Sequence, residues 1–130
     1  MPKNGVYRIL IIDDNAAVIK LIQLNLSRKP QFSTLLAYDA EDGIALVGLE
    51  KPDLVLLDIN LPRMNGLTAC KQIKATSPTM PIIIITGELD PTLRFQAYDA
   101  GADDFLTKPF SPDQLITHIR YHLHLSSLDL

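Results

Sequence analysis

Residues 53–58 read DLVLLD and residues 81–86 read PIIIIT. Each holds four apolar residues in a row and ends on a polar one, too short for an ordinary helix and without the apolar–polar alternation of a half-buried strand. Near-continuous apolar strands of this kind are buried on both faces, which happens when helices cover both sides of a parallel sheet. Three more runs accompany them along the chain: VYRILII before Asp13, STLLAY around Leu35, and a weaker DFLT before Lys108.

Between the runs the apolar period changes to that of a helix. Val18, Leu21, Ile22 and Leu26 mark a helix from Ala16 to Leu26, with Asn15 able to cap it. Asp39, with Asp42 three residues on, opens a second helix carrying Ile44, Ala45, Leu46 and Leu49, which Pro52 stops and which Gly43 and Gly48 weaken. A third is expected from about Gly66 to Ala75, a fourth from about Pro91 to Ala100, and a fifth from Pro112 to about Leu125 behind Ser111 as N-cap. Five βα units joined by right-handed crossovers predict an α/β fold: a doubly wound five-stranded parallel sheet with five helices. The flavodoxin-like strand order 2-1-3-4-5 is expected. No repeat, low-complexity tract or linker divides the chain, so residues 1–130 are expected to form one domain with its core at about 6–125, either stand-alone or excised from something longer.

Composition narrows the function. The 130 residues are 47% hydrophobic and 21% charged, ordinary for a globular domain, with a net charge of −3 and no cluster of Lys and Arg. Direct nucleic-acid binding by this chain is not expected. No apolar stretch is long enough for a membrane helix, and the opening MPKNGVYR lacks the apolar run of a secretory signal, so a cytoplasmic location is expected. The single Cys70 has no partner for a disulfide and no nearby ligands for zinc; it reads as a small buried hydrophobe.

In an open parallel sheet, ligands bind beyond the carboxyl ends of the strands. Asp13 and Asp14 end the first strand, Asp58 the third, Thr86 the fourth and Lys108 the fifth, so these groups should converge on one rim. Three crowded carboxylates stay ionised only where a cation or strong hydrogen bonds offset their repulsion. Mg²⁺ (or Mn²⁺) suits hard oxygen ligands, with one or two direct carboxylates, a backbone carbonyl and phosphoryl oxygens. Thr86 offers a hydroxyl and Lys108 a point positive charge, both suited to phosphoryl oxygens. Asp58 is left as the nucleophile, able to form an aspartyl phosphate. Paired acids and strand-end Asp residues also serve structure alone, but one such group at each of several strand ends favours chemistry.

IIDD, DINLPRMNG, IIIITGE and GADDFLTKPFS resemble the response-regulator receiver domain at its principal landmarks, from Val6 to about Leu125. The resemblance implies that Asp58 is the phosphoacceptor, Asp14 a direct Mg²⁺ ligand, Asp13 a ligand largely through water, and the Asn60 backbone carbonyl a third protein ligand. It further implies that Lys108 contacts the phosphoryl group, Thr86 is the switch hydroxyl, Phe105 is the switch aromatic, and the Lys108–Pro109 bond is cis. The implied function is a phosphoacceptor in a two-component or phosphorelay system. A histidine kinase or histidine phosphotransfer protein would act as donor, and the fourth helix, fifth strand and fifth helix as the output surface towards an effector domain or downstream protein. Asn60 and Glu88 occupy the two positions that tune phosphoryl lifetime in this family, and their pairing resembles faster-hydrolysing members. Arg94, Asp103 and Asp104 resemble part of the cross-chain ion-pair set of dimerising members. Gln114 and His118 replace an acid and an arginine of that set, so a monomer or weak dimer is expected.

His118, His122 and His124 fall on the expected last helix; the i, i+4 pair can in principle hold a metal, and a solvated or partner-facing helix end is the simpler reading. Arg94, Phe95 and Tyr98 fit a partner surface as well as they fit partial core packing. Gly87 stands where the family often has alanine and is expected to ease motion of its loop, or merely to fit a turn. The chain is not expected to be an enzyme beyond its own phosphorylation and dephosphorylation. Competing classes are a phosphorylation-independent pseudo-receiver, against which the complete acid, Thr and Lys set argues, and a phosphatase of the haloacid dehalogenase type, which wants an Asp where Asn60 stands. A flavin carrier would need a Ser/Thr/Gly-rich loop after the first strand, and none is present.

Overall fold

The computed structural model describes residues 5–87 and 90–125. Five strands, β1 (Tyr7–Ile12), β2 (Phe32–Ala37), β3 (Leu54–Asp58), β4 (Ile82–Thr86) and β5 (Asp104–Thr107), alternate with five helices, α1 (Ala16–Ser27), α2 (Ala40–Glu50), α3 (Gly66–Thr76), α4 (Pro91–Asp99) and α5 (Pro112–His122). The sheet order is β2-β1-β3-β4-β5 and every pairing is parallel, as the alternation predicts. The order reverses direction between β1 and β3, which opens a crevice at their carboxyl ends.

The strand period of two divides the core between the faces. Leu10, Ile12, Val55, Leu57, Ile82, Ile84 and Phe105 pack with Val47 of α2, Ala69, Cys70 and Ile73 of α3, and Ala97 of α4. Ile9, Ile11, Leu54, Leu56, Ile83, Ile85 and Leu106 pack with Ile19, Ile22 and Leu26 of α1 and Leu115, Ile116 and Ile119 of α5. Each buried aliphatic side chain contributes about 1.5–3 kcal/mol relative to exposure, so β3 and β4, buried throughout, anchor the fold. Gly43 has a packing reason within α2: a Cβ there would lie 2.4 Å from Ile12 Cδ1, so the glycine lets α2 settle onto β1.

The caps foreseen at Asn15, Asp39 and Ser111 are present. Asn15 accepts from the Ala17 and Val18 amides, Asp39 from Asp42, and Ser111 from Gln114, whose side chain returns to the Ser111 amide in a full capping box. α2 stops at Lys51, which takes a left-handed φ of 48° immediately before Pro52, whose ring disfavours a helical residue there.

α5 is shorter than expected. It ends at His122, and His124, at φ 60°, lies beyond it, with its amide on the Tyr121 carbonyl at 3.2 Å and the Leu125 amide on the Arg120 carbonyl at 2.9 Å. That pair of bonds is a Schellman ending, made here by histidine in place of glycine. No helix among the described residues is long and apolar enough to cross a membrane.

Candidate functional site

Parallel pairing brings four strand ends to one rim. The Asp13 amide, one residue past β1, donates to the Ala37 carbonyl at 3.1 Å, and the Ile59 amide, one past β3, to the Ile85 carbonyl at 3.2 Å. The Lys108 amide, one past β5, donates to the Thr86 carbonyl at 2.7 Å. Asp13 and Lys108 are thus held by ladders that run one step past their strands, and Asp58 by the ladder that continues through Ile59. Asp13, Asp14 and Asp58 offer carboxylate oxygens that all lie within 4.8 Å of one another. Lys108 Nζ stands 3.4 Å from Asp13 Oδ2 and 3.9 Å from Asp58 Oδ2. Asp13, Asp58 and Thr86 are buried, while Asp14 is open to solvent.

One ammonium cannot neutralise three carboxylates. Burial, followed by the Asp13 charge, pushes the Asp58 carboxyl up to about 6, although Lys108 and the Asn60 amide pull it down. The Asn60 amide reaches Asp58 Oδ1 at 3.2 Å, and the Asn15 amide reaches Asp13 Oδ1 at 2.8 Å. The donor set is therefore all hard oxygen with negative charge left over, which fits a divalent ion such as Mg²⁺ or Mn²⁺ and offers little to a soft one.

The other residues singled out from the sequence are placed as follows. Asn60 is exposed and folded back over Asp58 by its amide. Phe105 lies within the core beneath α4, its ring 5.2 Å below the Arg94 guanidinium carbon. The Lys108–Pro109 bond is cis. Gly87 has open space around it, so neither crowding nor a left-handed backbone demands glycine there. Glu88 lies outside the described residues. Cys70 is buried, and burial pushes its thiol up to about 11.

Two positions, Gly66 acting through its backbone and Arg63 through its side chain, were not singled out from the sequence. Gly66 opens α3 against the end of β3, where a Cβ would lie 2.4 Å from the Asp58 carbonyl oxygen and 2.7 Å from Ile59 Cα. Its amide donates to the Ile59 carbonyl at 2.9 Å, while Asn65 caps the helix through the Leu67 amide at 2.6 Å. Asn-Gly at a helix start was the available signal, legible as a cap but not as a close approach. Arg63, at φ 66°, ties this loop to the start of α2 through Asp39 at 2.9 Å and Glu41 at 3.3 Å.

On the α4–β5–α5 side, the charges that resemble a cross-chain set are engaged within the chain. Asp103 Oδ2 accepts from Lys74 at 2.7 Å and from the Ile82 amide at 2.9 Å. Asp104 Oδ2 meets His118 Nδ1 at 2.5 Å and His122 Nε2 at 2.9 Å. Burial raises the Asp104 carboxyl, but the bonds from His118, His122 and the Phe105 amide outweigh it and hold the group below the ordinary carboxylate range. The two imidazoles are thus turned onto β5 and do not simply end in solvent as the simpler reading had it. Phe95 and Tyr121 stand exposed on this side, so core packing does not account for Phe95.

Comparison with known proteins agrees with this geometry. The family model described as response regulator receiver domain matches residues 9–120. Response regulator MprA of Mycolicibacterium vanbaalenii is 36% identical over 122 residues, which cover 94% of this chain and 52% of that protein. The alkaline phosphatase synthesis transcriptional regulatory protein PhoP of Bacillus subtilis is 33% identical, over 93% of this chain and 50% of its own. This chain therefore spans about half the length of these relatives. The crystal structure of a CheY-like receiver domain protein from Methanospirillum hungatei superposes with a TM-score of 0.86 at 30% identity, covering 92% of this chain and 94% of that one.

Proposed function

The chain belongs to the response regulator receiver domain family, signalling modules and not classical enzymes, and on that premise we propose that Asp58 is its phosphoacceptor. The observation that carries the reading is the convergence of Asp13, Asp14 and Asp58 with Lys108 on one rim. A carboxylate oxygen of Asp58 forms a bond to phosphorus as the P–N bond of a donor phosphohistidine breaks, and the released imidazole nitrogen takes up a proton. Asp13, Asp14, Asp58 and the Asn60 carbonyl would hold Mg²⁺ (or Mn²⁺), which supplies neutralising charge for the phosphoryl oxygens when bound. Lys108 supplies the counter-charge from the protein, and its backbone is held in place by the hydrogen bond its amide donates to the Thr86 carbonyl of β4. Thr86, buried at the end of β4, is the switch hydroxyl, and Phe105 with Arg94 over it is the switch aromatic.

The donor is a histidine kinase or a histidine phosphotransfer protein, and residues 1–130 act as one cytoplasmic domain. The readout passes through the α4–β5–α5 face to an effector segment or a separate protein. One relative is named a transcriptional regulatory protein, and any contact with nucleic acid would fall to the half of such a protein that this chain does not match. The net charge of −3 gives this half no basic field. Asn60 and Glu88 set a short phosphoryl lifetime.

Incubation with a small phosphodonor such as acetyl phosphate tests the proposal by intact mass. A phosphoryl gain is expected in the wild type only with Mg²⁺, and none in Asp58→Asn. Uptake without Mg²⁺, or uptake retained in Asp58→Asn, would overturn the assignment.

A further inference from the structure

We propose that Asp104, His118 and His122 form a second cation site at the β5–α5 edge, selective for a borderline-soft transition metal such as Zn²⁺ and chemically distinct from the three-carboxylate site. Four-residue spacing places the two imidazoles one turn apart on a single face of α5. β5 then presents Asp104 opposite them, so that one ring nitrogen of each and one carboxylate oxygen meet at 2.5 and 2.9 Å. Two imidazole nitrogens and one carboxylate oxygen are a ligand set that zinc uses with water in the fourth position.

There is room beside the cluster for a further ligand. A cavity of about 290 Å³ lined by Asp104, Thr117, His118 and Tyr121 opens beside the cluster. The site is neither sealed nor fully solvated: the side chains of Asp104 and His122 are 18% and 14% accessible, and that of His118 35%. Entry of the ion needs the two ring nitrogens to swing off the carboxylate oxygen they share and close on a shell of about 2.0–2.2 Å around the metal. Each ring offers the metal the nitrogen that faces Asp104 and carries its proton on the other. Mg²⁺ has little use for two imidazoles, and the acidic rim has none to offer, so the two sites divide cations by hardness.

The experiment titrates Zn²⁺ into full-length protein carrying no histidine tag, in excess Mg²⁺ to fill the acidic rim, by calorimetry and by ¹H–¹⁵N spectra of the histidine rings. One equivalent is expected to bind, with the rings of His118 and His122 shifting and that of His124 unmoved. Loss of an outer-shell partner costs about 10–100-fold in metal affinity, so His118→Gln and His122→Gln, which remove direct ligands, are each expected to weaken binding by more than about tenfold. No uptake in excess Mg²⁺, uptake indifferent to both substitutions, or shifts confined to His124 or the acidic rim would overturn the site. Should either variant fail to fold, the ring spectra of the wild type decide the matter alone.

Discussion

Asp58 shows what a single residue contributes and what it costs. Its carboxyl titrates at about 6 in the fold against an ordinary 3.8, so between those values the folded chain keeps a proton that the unfolded chain has lost. Stability therefore falls as pH rises through about 4 to 6, the opposite of a carboxylate in a favourable salt bridge. Asp58→Asn is expected to be more stable than the wild type by roughly 1–3 kcal/mol at about pH 8 and by little at about pH 4, measured by urea unfolding without divalent ions. Adding Mg²⁺ should raise the wild type and narrow that gap. Asn60 with Glu88 gives a second expectation, a phosphoryl group lost well within hours at room temperature, followed by the decay of the phosphorylated mass; a lifetime of many hours would refute it. The acids, Thr86 and Lys108 were legible because residue type and strand-end position both speak through side chains. Gly66 and the amides of Asn15 and Asn60 act through backbone, which composition does not display.

Among the elements, helix beginnings were more legible than helix ends. Asn15, Asp39 and Ser111 announce themselves by a side chain that must accept an amide, and all three do so. α5 stops early because its last carbonyls are satisfied by the amides of His124 and Leu125, while the apolar period runs on through Leu123 and Leu125 without registering the turn. Ser111→Ala is expected to cost about 1 kcal/mol, seen as a lower urea midpoint with the slope unchanged. Lys51 occupies a left-handed position at the end of α2 without being glycine, so Lys51→Gly should gain about 0.5–1 kcal/mol in the same assay. Gly66→Ala carries the reverse sign. Its Cβ would press on backbone atoms of Asp58 and Ile59, and a loss of about 1–3 kcal/mol is expected, with weaker Mg²⁺ binding because the end of β3 must shift.

The sheet order of the whole molecule followed from apolar runs because burial on both faces leaves few alternatives for a strand such as Ile82–Thr86. How the α4–β5–α5 charges pair was not legible, since spacing alone cannot say whether Asp103 and Asp104 meet their own chain or another. They meet their own, through Lys74 and through His118 and His122. The unphosphorylated chain is accordingly expected to sediment as a monomer at micromolar concentration in velocity ultracentrifugation, and a stable dimer there would show those internal pairs to be exchangeable.

Lys108 and Asp13 face each other across 95 residues of sequence, and Asp58 lies near the middle of that span. Because β5 is the last of the described strands along the chain and pairs only with β4, the counter-charge reaches the acids only once β4 is in place beside β3. A ribosome releasing this chain in order would expose Asp13, Asp14 and Asp58 long before Lys108. A nascent chain therefore carries the acids without the lysine that completes the set, and competence to receive a signal arrives together with the closing of the fold.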